Sequence, residues 1–72
     1  MTAQEYLEAI QRLGLSKEQA AEFMDIAGRT SRNYATTGPP VVVAMLLRVM
    51  LAEGLSVDDV NLIMRRSERK RK

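Results

Sequence analysis

Three times in 72 residues the chain writes the same helix-start signature: Thr2-Ala-Gln-Glu5, Ser16-Lys-Glu-Gln19 and, with a shorter acid, Ser56-Val-Asp-Asp59. In each, a hydroxyl can accept the N–H three residues on, while the side chain there reaches back to the first residue's own N–H. Stops are equally plain. Gly14-Leu15 and Gly54-Leu55 pair a residue suited to the left-handed conformation with an apolar one that folds back onto the helix just ended. Gly38-Pro39-Pro40 closes a third element, and Pro40 suits the first turn of the next. A chain punctuated this often can hold only short helices. The spacing predicts five, over residues 3–13, 17–24, 28–36, 41–53 and 57–66, and no strand pattern competes.

So small a chain buries only roughly 60% of the surface its unfolded form exposes. With no cysteine and no histidine there is neither a disulfide framework nor a plausible zinc site, so no metal and no cofactor is expected and apolar packing must hold the fold. Ala3, Tyr6, Leu7, Ile10 and Leu13 recur at three-four spacing on the first helix, and Ala20, Ala21, Phe23 and Met24 face the core from the second. The expected architecture is an all-α, compact five-helix domain over residues 1–66. Residues 67–72 form a basic tail, read either as a source of phosphate contacts or as a disordered, solubilising end.

Charge is unevenly spread. The last eight residues, RRSERKRK, hold six of the eleven bases and one of the nine acids, so the first 64 carry five bases against eight acids. Between Ile26 and Ala52 there are Arg29, Arg32 and Arg48 and no acid at all, whereas Glu5, Glu8, Glu18, Glu22 and Asp25 crowd the N-terminal third. One side of the molecule is therefore inviting to a polyanion even though the body is net acidic.

The fourth helix, VVVAMLLRVMLA, is apolar almost all the way round. Leaving three such side chains in water forgoes roughly 1.5–3 kcal/mol each, which a small domain cannot spare. A second surface is expected to cover them. The expectation is a homodimer built on helices four and five, through Val42, Met45, Leu46, Val49, Met50, Val60, Ile63 and Met64. Arg48 reads as a surface or interface charge.

The middle of the chain, FMDIAGRTSRNYATTGPP, then reads as a unit. A capped helix containing the small Ala21, a three-residue turn Asp25-Ile26-Ala27 and a second helix make the layout of a helix-turn-helix. Asp25 takes the turn position that wants a positive φ, tolerable for Asp. Ile26 plugs the angle between the helices, and Tyr34 packs inward on the first two.

Through the stretch from Leu15 to Tyr34, LSKEQAAEFMDIAGRTSRNY, and the exit Gly38-Pro39-Pro40, the chain resembles the Cro and phage-repressor family of helix-turn-helix transcription regulators. Three positions depart from that pattern: Asp25 replaces the usual turn glycine, Ala27 the usual hydroxyl cap, and Ser31 an aliphatic residue. The resemblance implies a lambda-repressor-like fold whose third helix lies in the major groove of double-stranded DNA. Arg29, Arg32 and Asn33 would then face base edges, Arg suiting the acceptors of guanine and Asn the donor and acceptor of adenine. Gly28 would let the helix start sit close to the duplex. Thr30, Thr36 and Thr37 would serve phosphate oxygens or local backbone bonds, and Lys17 a phosphate. It further implies a small stand-alone repressor of phage or mobile-element type, of a kind that often represses its own operon. A homodimer would read a near-palindromic operator with half-sites about 34 Å apart or a multiple of it.

Other classes find little support. Histidine, cysteine and a Gly-rich phosphate loop are all missing, and the carboxylates fall on helix faces or caps where solvation explains them, so an enzyme is not expected, and no small-molecule effector is evident. The N-terminus has acids where a signal peptide needs bases, and the longest apolar run is far below the roughly 18 residues of a membrane span, so a cytoplasmic protein is expected. The rival reading is a small helical protein-interaction module that uses the fourth helix, with the hairpin purely architectural.

Overall fold

The computed structural model describes the backbone of residues 1–70 and the side chains as far as Arg65. Five helices account for its regular structure: α1 (Ala3–Arg12), α2 (Lys17–Met24), α3 (Gly28–Thr37), α4 (Val41–Glu53) and α5 (Val57–Lys70). All three start signatures act as caps. Thr2 Oγ1 accepts the Glu5 N–H at 3.1 Å while Glu5 accepts the Thr2 N–H at 2.8 Å. Ser16 with Gln19, and Ser56 with Asp59, repeat the exchange at 2.9–3.1 Å.

The stops share one geometry as well. After α1 the Leu15 N–H returns to the Ile10 carbonyl at 2.9 Å, after α2 the Ile26 N–H returns to Ala21 at 2.9 Å, and after α4 the Leu55 N–H returns to Met50 at 2.8 Å. The pivots of these turns are Gly14, Asp25 and Gly54, all at positive φ. Asp25, at φ 56° and ψ 47°, is the one residue among them carrying a side chain.

The core lies between α1, α2, α3 and α4. Tyr6, Ala9 and Ile10 from α1 meet Ala20 from α2 and Leu47 from α4. Small residues on α2 let its neighbours approach: Ala20 and Ala21 are both buried. Across the break at residues 38–40 the axes of α3 and α4 turn by 86°, and α4 packs on α1. No single helix among the described residues is long and apolar enough to cross a membrane.

Two expectations need correction. Met50, assigned to a dimer surface, is 1% exposed and belongs to the core: it falls three residues after Leu47 and six after Ala44, on the inward face of α4. And α5 does not end near residue 66 but continues to Lys70, because the stretch beyond Arg66 contains no Gly or Pro and is rich in residues that sustain a helix. The expected contribution of the basic tail concerns side chains outside the described residues. α1 and α3 differ from expectation by one residue at their ends, Leu13 capping α1 and Thr37 closing α3.

Candidate nucleic-acid interface

α3 is a weak helix by composition, GRTSRNYATT, and its setting explains why it forms. At 100° per residue, Ser31, Tyr34 and Ala35 fall on one side, and Arg29, Arg32, Asn33 and Thr36 on the opposite side. The inward side is held by α1. Ser31 is fully buried, and its Oγ lies 2.7 Å from the phenolic oxygen of Tyr6, itself fully buried. One turn on, the Tyr34 ring meets the Tyr6 ring edge to face, with centroids 5.7 Å apart and planes at 86°. Burial pushes the Tyr6 phenol above its usual range, so it remains a neutral donor or acceptor for Ser31.

The outward side is open. Arg29, Arg32, Asn33, Thr36 and Thr37 are exposed, Gly28 and Thr30 half-buried. Arg32 folds back along the helix toward its start, such that a Cβ on Gly28 would lie 3.4 Å from Arg32 Nη1. A Cβ there would meet only the flexible end of that side chain at about ordinary contact distance, so what Gly28 supplies is a helix start without a side chain. Thr36 donates its hydroxyl to the Arg32 carbonyl at 3.1 Å, and Thr37 donates to the Asn33 carbonyl at 3.0 Å. Of the two roles expected for these threonines, the local backbone bond is the one the structure contains. A hydroxyl proton committed there is not simultaneously available to a phosphate.

Lys17 stands apart. It is exposed in the first turn of α2 and shares a surface recess with Leu7, Gln11 and Glu18, on the α1 side of that helix. Ala27 precedes α3 with extended backbone and makes no side-chain cap, so the first turn of α3 lacks the hydroxyl acceptor that Thr2, Ser16 and Ser56 offer at the starts of α1, α2 and α5.

A second surface lies on α4 and α5. Val42 is 77% exposed, Met45 59%, Val49 53%, Ile63 49% and Met64 56%. Leu46 and Val60 are half-buried at the seam, where with Phe23, Val43 and Met64 they line an apolar groove of about 330 Å³. Among its described residues α5 buries no side chain completely. Arg48 is exposed on another face of α4, near enough to Glu5 for its charge to help hold that carboxyl below its usual range, behind the larger effect of the Thr2 N–H and hydroxyl.

Sequence reasoning missed the Tyr6–Ser31 pair. The signal was present: Ser31 lies three residues before the inward Tyr34, a phase that places its hydroxyl in the core, where it must find a partner. Comparison with protein-family models, with curated proteins and with solved structures finds no match for this chain.

Proposed function

We propose that the protein is a sequence-specific double-stranded-DNA-binding regulator, most simply a repressor, that presents the outer face of α3 to the major groove. The observation that carries this reading is the segregation of α3: Arg29, Arg32 and Asn33 form one exposed stripe opposite the buried Ser31. Arginine and asparagine are the side chains whose paired donors and acceptors match guanine and adenine edges. No acid lies between Ile26 and Ala52 to repel the duplex. The uncapped start of α3 adds backbone N–H groups of the kind that meet phosphates. Thr36 and Thr37 serve the helix backbone in this reading, and the duplex contacts rest on Arg29, Arg32 and Asn33, with Lys17 as an outlying phosphate contact.

The apolar surface of Val42, Met45, Val49 and Ile63 supports a homodimer, since a two-fold pair is what matches two half-sites of a near-palindromic operator. The same surface also favours the alternative of a protein-interaction module without DNA specificity. Selection of duplexes from a random-sequence library by the purified protein, followed by gel retardation, separates the two. The regulator reading expects a selected sequence whose retardation is lost in Arg32→Ala at unchanged helicity. Failure to enrich any sequence sinks it and leaves the interaction module.

A further inference from the structure

We infer that Tyr6 and Ser31 are positioning residues that set the rotation of α3 about its own axis, and through it the sequence discrimination of the outer stripe. The inference rests on the DNA-binding reading above. Three observations carry it. The two hydroxyls are fully buried and 2.7 Å apart, a directional contact between α1 and α3. No buried side-chain oxygen or nitrogen among the described residues lacks a partner, so neither hydroxyl has slack to turn elsewhere at no cost. And Ser31 faces α1 while the stripe faces away, Arg29 and Asn33 about 160° round the helix from it and Arg32 about 100°, so a turn of the helix that breaks the bond swings that stripe by the same angle.

The lever is long enough to matter. At a side-chain radius of about 5–6 Å, a 20° rotation of a helix moves the groups on its far side by roughly 2 Å. Bidentate pairing to a base edge tolerates far less, since hydrogen bonds weaken steeply away from their preferred length and angle. Phosphate contacts made by flexible side chains tolerate more, because they position the protein without reading sequence. Loss of the pin should therefore cost discrimination more than overall affinity.

An aliphatic residue at position 31 would pack against α1 without direction, leaving the helix free to settle through a range of angles. The Tyr6–Ser31 bond narrows that range. The Tyr34 ring against Tyr6 adds a second, softer restraint on the same side of α3.

The test compares Tyr6→Phe, Ser31→Ala and the double variant with the parent chain. Stability is read by chemical denaturation, and discrimination by the affinity ratio between the duplex selected by the parent and a scrambled duplex of equal length and composition. Ser31→Ala strands the Tyr6 hydroxyl and should lower stability. The double variant removes both hydroxyls and should recover most of it, since replacing both partners of a buried bond is nearly neutral. The inference expects the double variant, though refolded and stable, to keep a discrimination ratio lowered roughly tenfold, the scale of one lost base contact. A double variant that regains both stability and the parental ratio overturns it, for the bond would then be only a matter of packing. A parent chain that discriminates no duplex overturns the DNA-binding reading first, and this inference with it.

Discussion

Gly38 stands so close to the start of the chain that a Cβ on it would lie 3.1 Å from the Met1 carbonyl oxygen and 3.5 Å from the Ala3 nitrogen. The residue is also at φ 96° and ψ 151°, a conformation open essentially to glycine alone. The turn between α3 and α4 is thus locked against the segment that starts α1, and Met1 itself packs on the core. Gly38→Ala should destabilise the protein by about 1–3 kcal/mol from backbone strain, with the steric contact adding to it. Urea denaturation reads the loss, and a midpoint unchanged from the parent chain would show that the contact is dispensable.

Asp25 offers the opposite experiment. It occupies the left-handed pivot that glycine fills after α1 and α4, and among the described residues no side-chain hydrogen bond of its carboxylate offsets the strain. Asp25→Gly should stabilise the fold by up to about 1 kcal/mol, whereas Asp25→Ala should destabilise it, because alanine keeps the Cβ and loses the tolerance of aspartate for this region. Thermal melts of the two variants should move in opposite directions. Movement in the same direction would mean that the carboxylate, not the backbone, governs the turn.

The surface of α4 and α5 predicts self-association. Val42→Glu with Met45→Glu places two carboxylates where 77% and 59% of the side chains are exposed, so the single chain loses little. Buried across a two-fold interface, the same charges are prohibitive. Sedimentation should give a dimer for the parent and a folded monomer for the variant. A parent that remains monomeric at high micromolar concentration removes the two-fold reading.

Acid should act on two helix starts and spare the third. Glu5 is held below its usual 4.5, first by the Thr2 N–H and then by the Thr2 hydroxyl, and Asp59 below its usual 3.8 by the same contacts from Ser56. A carboxyl whose folded value is depressed contributes stability above its unfolded value and loses it as pH falls through the folded one. The caps of α1 and α5 should therefore open progressively below about pH 4.5 and 3.8 respectively. The cap of α2 uses the uncharged Gln19 and should not respond. Amide exchange at Thr2, Ser16 and Ser56, followed by NMR during an acid titration, distinguishes the three. Glu5→Gln should abolish the response at Thr2.

Helix number, starts and stops were legible because they are local: a capping residue answers to a neighbour three positions away, and a left-handed pivot to the helix just ended. The outward phase of Arg29, Arg32 and Asn33 was legible for the same reason, once Tyr34 fixed which side of the helix turns inward. The extension of α5 to Lys70 was missed because charge was read as a sign of an unstructured end, although Ser, Glu, Arg and Lys in that order contain no helix breaker.

Tertiary structure alone decided that Met50 faces the core, since a helix apolar on every side does not announce its inward face. It alone joined Tyr6 to Ser31 across 25 residues, and Gly38 to Met1. The division has one physical cause: backbone hydrogen bonding is settled within a turn or two of the chain, whereas the choice of buried neighbours depends on the angles at which finished helices cross.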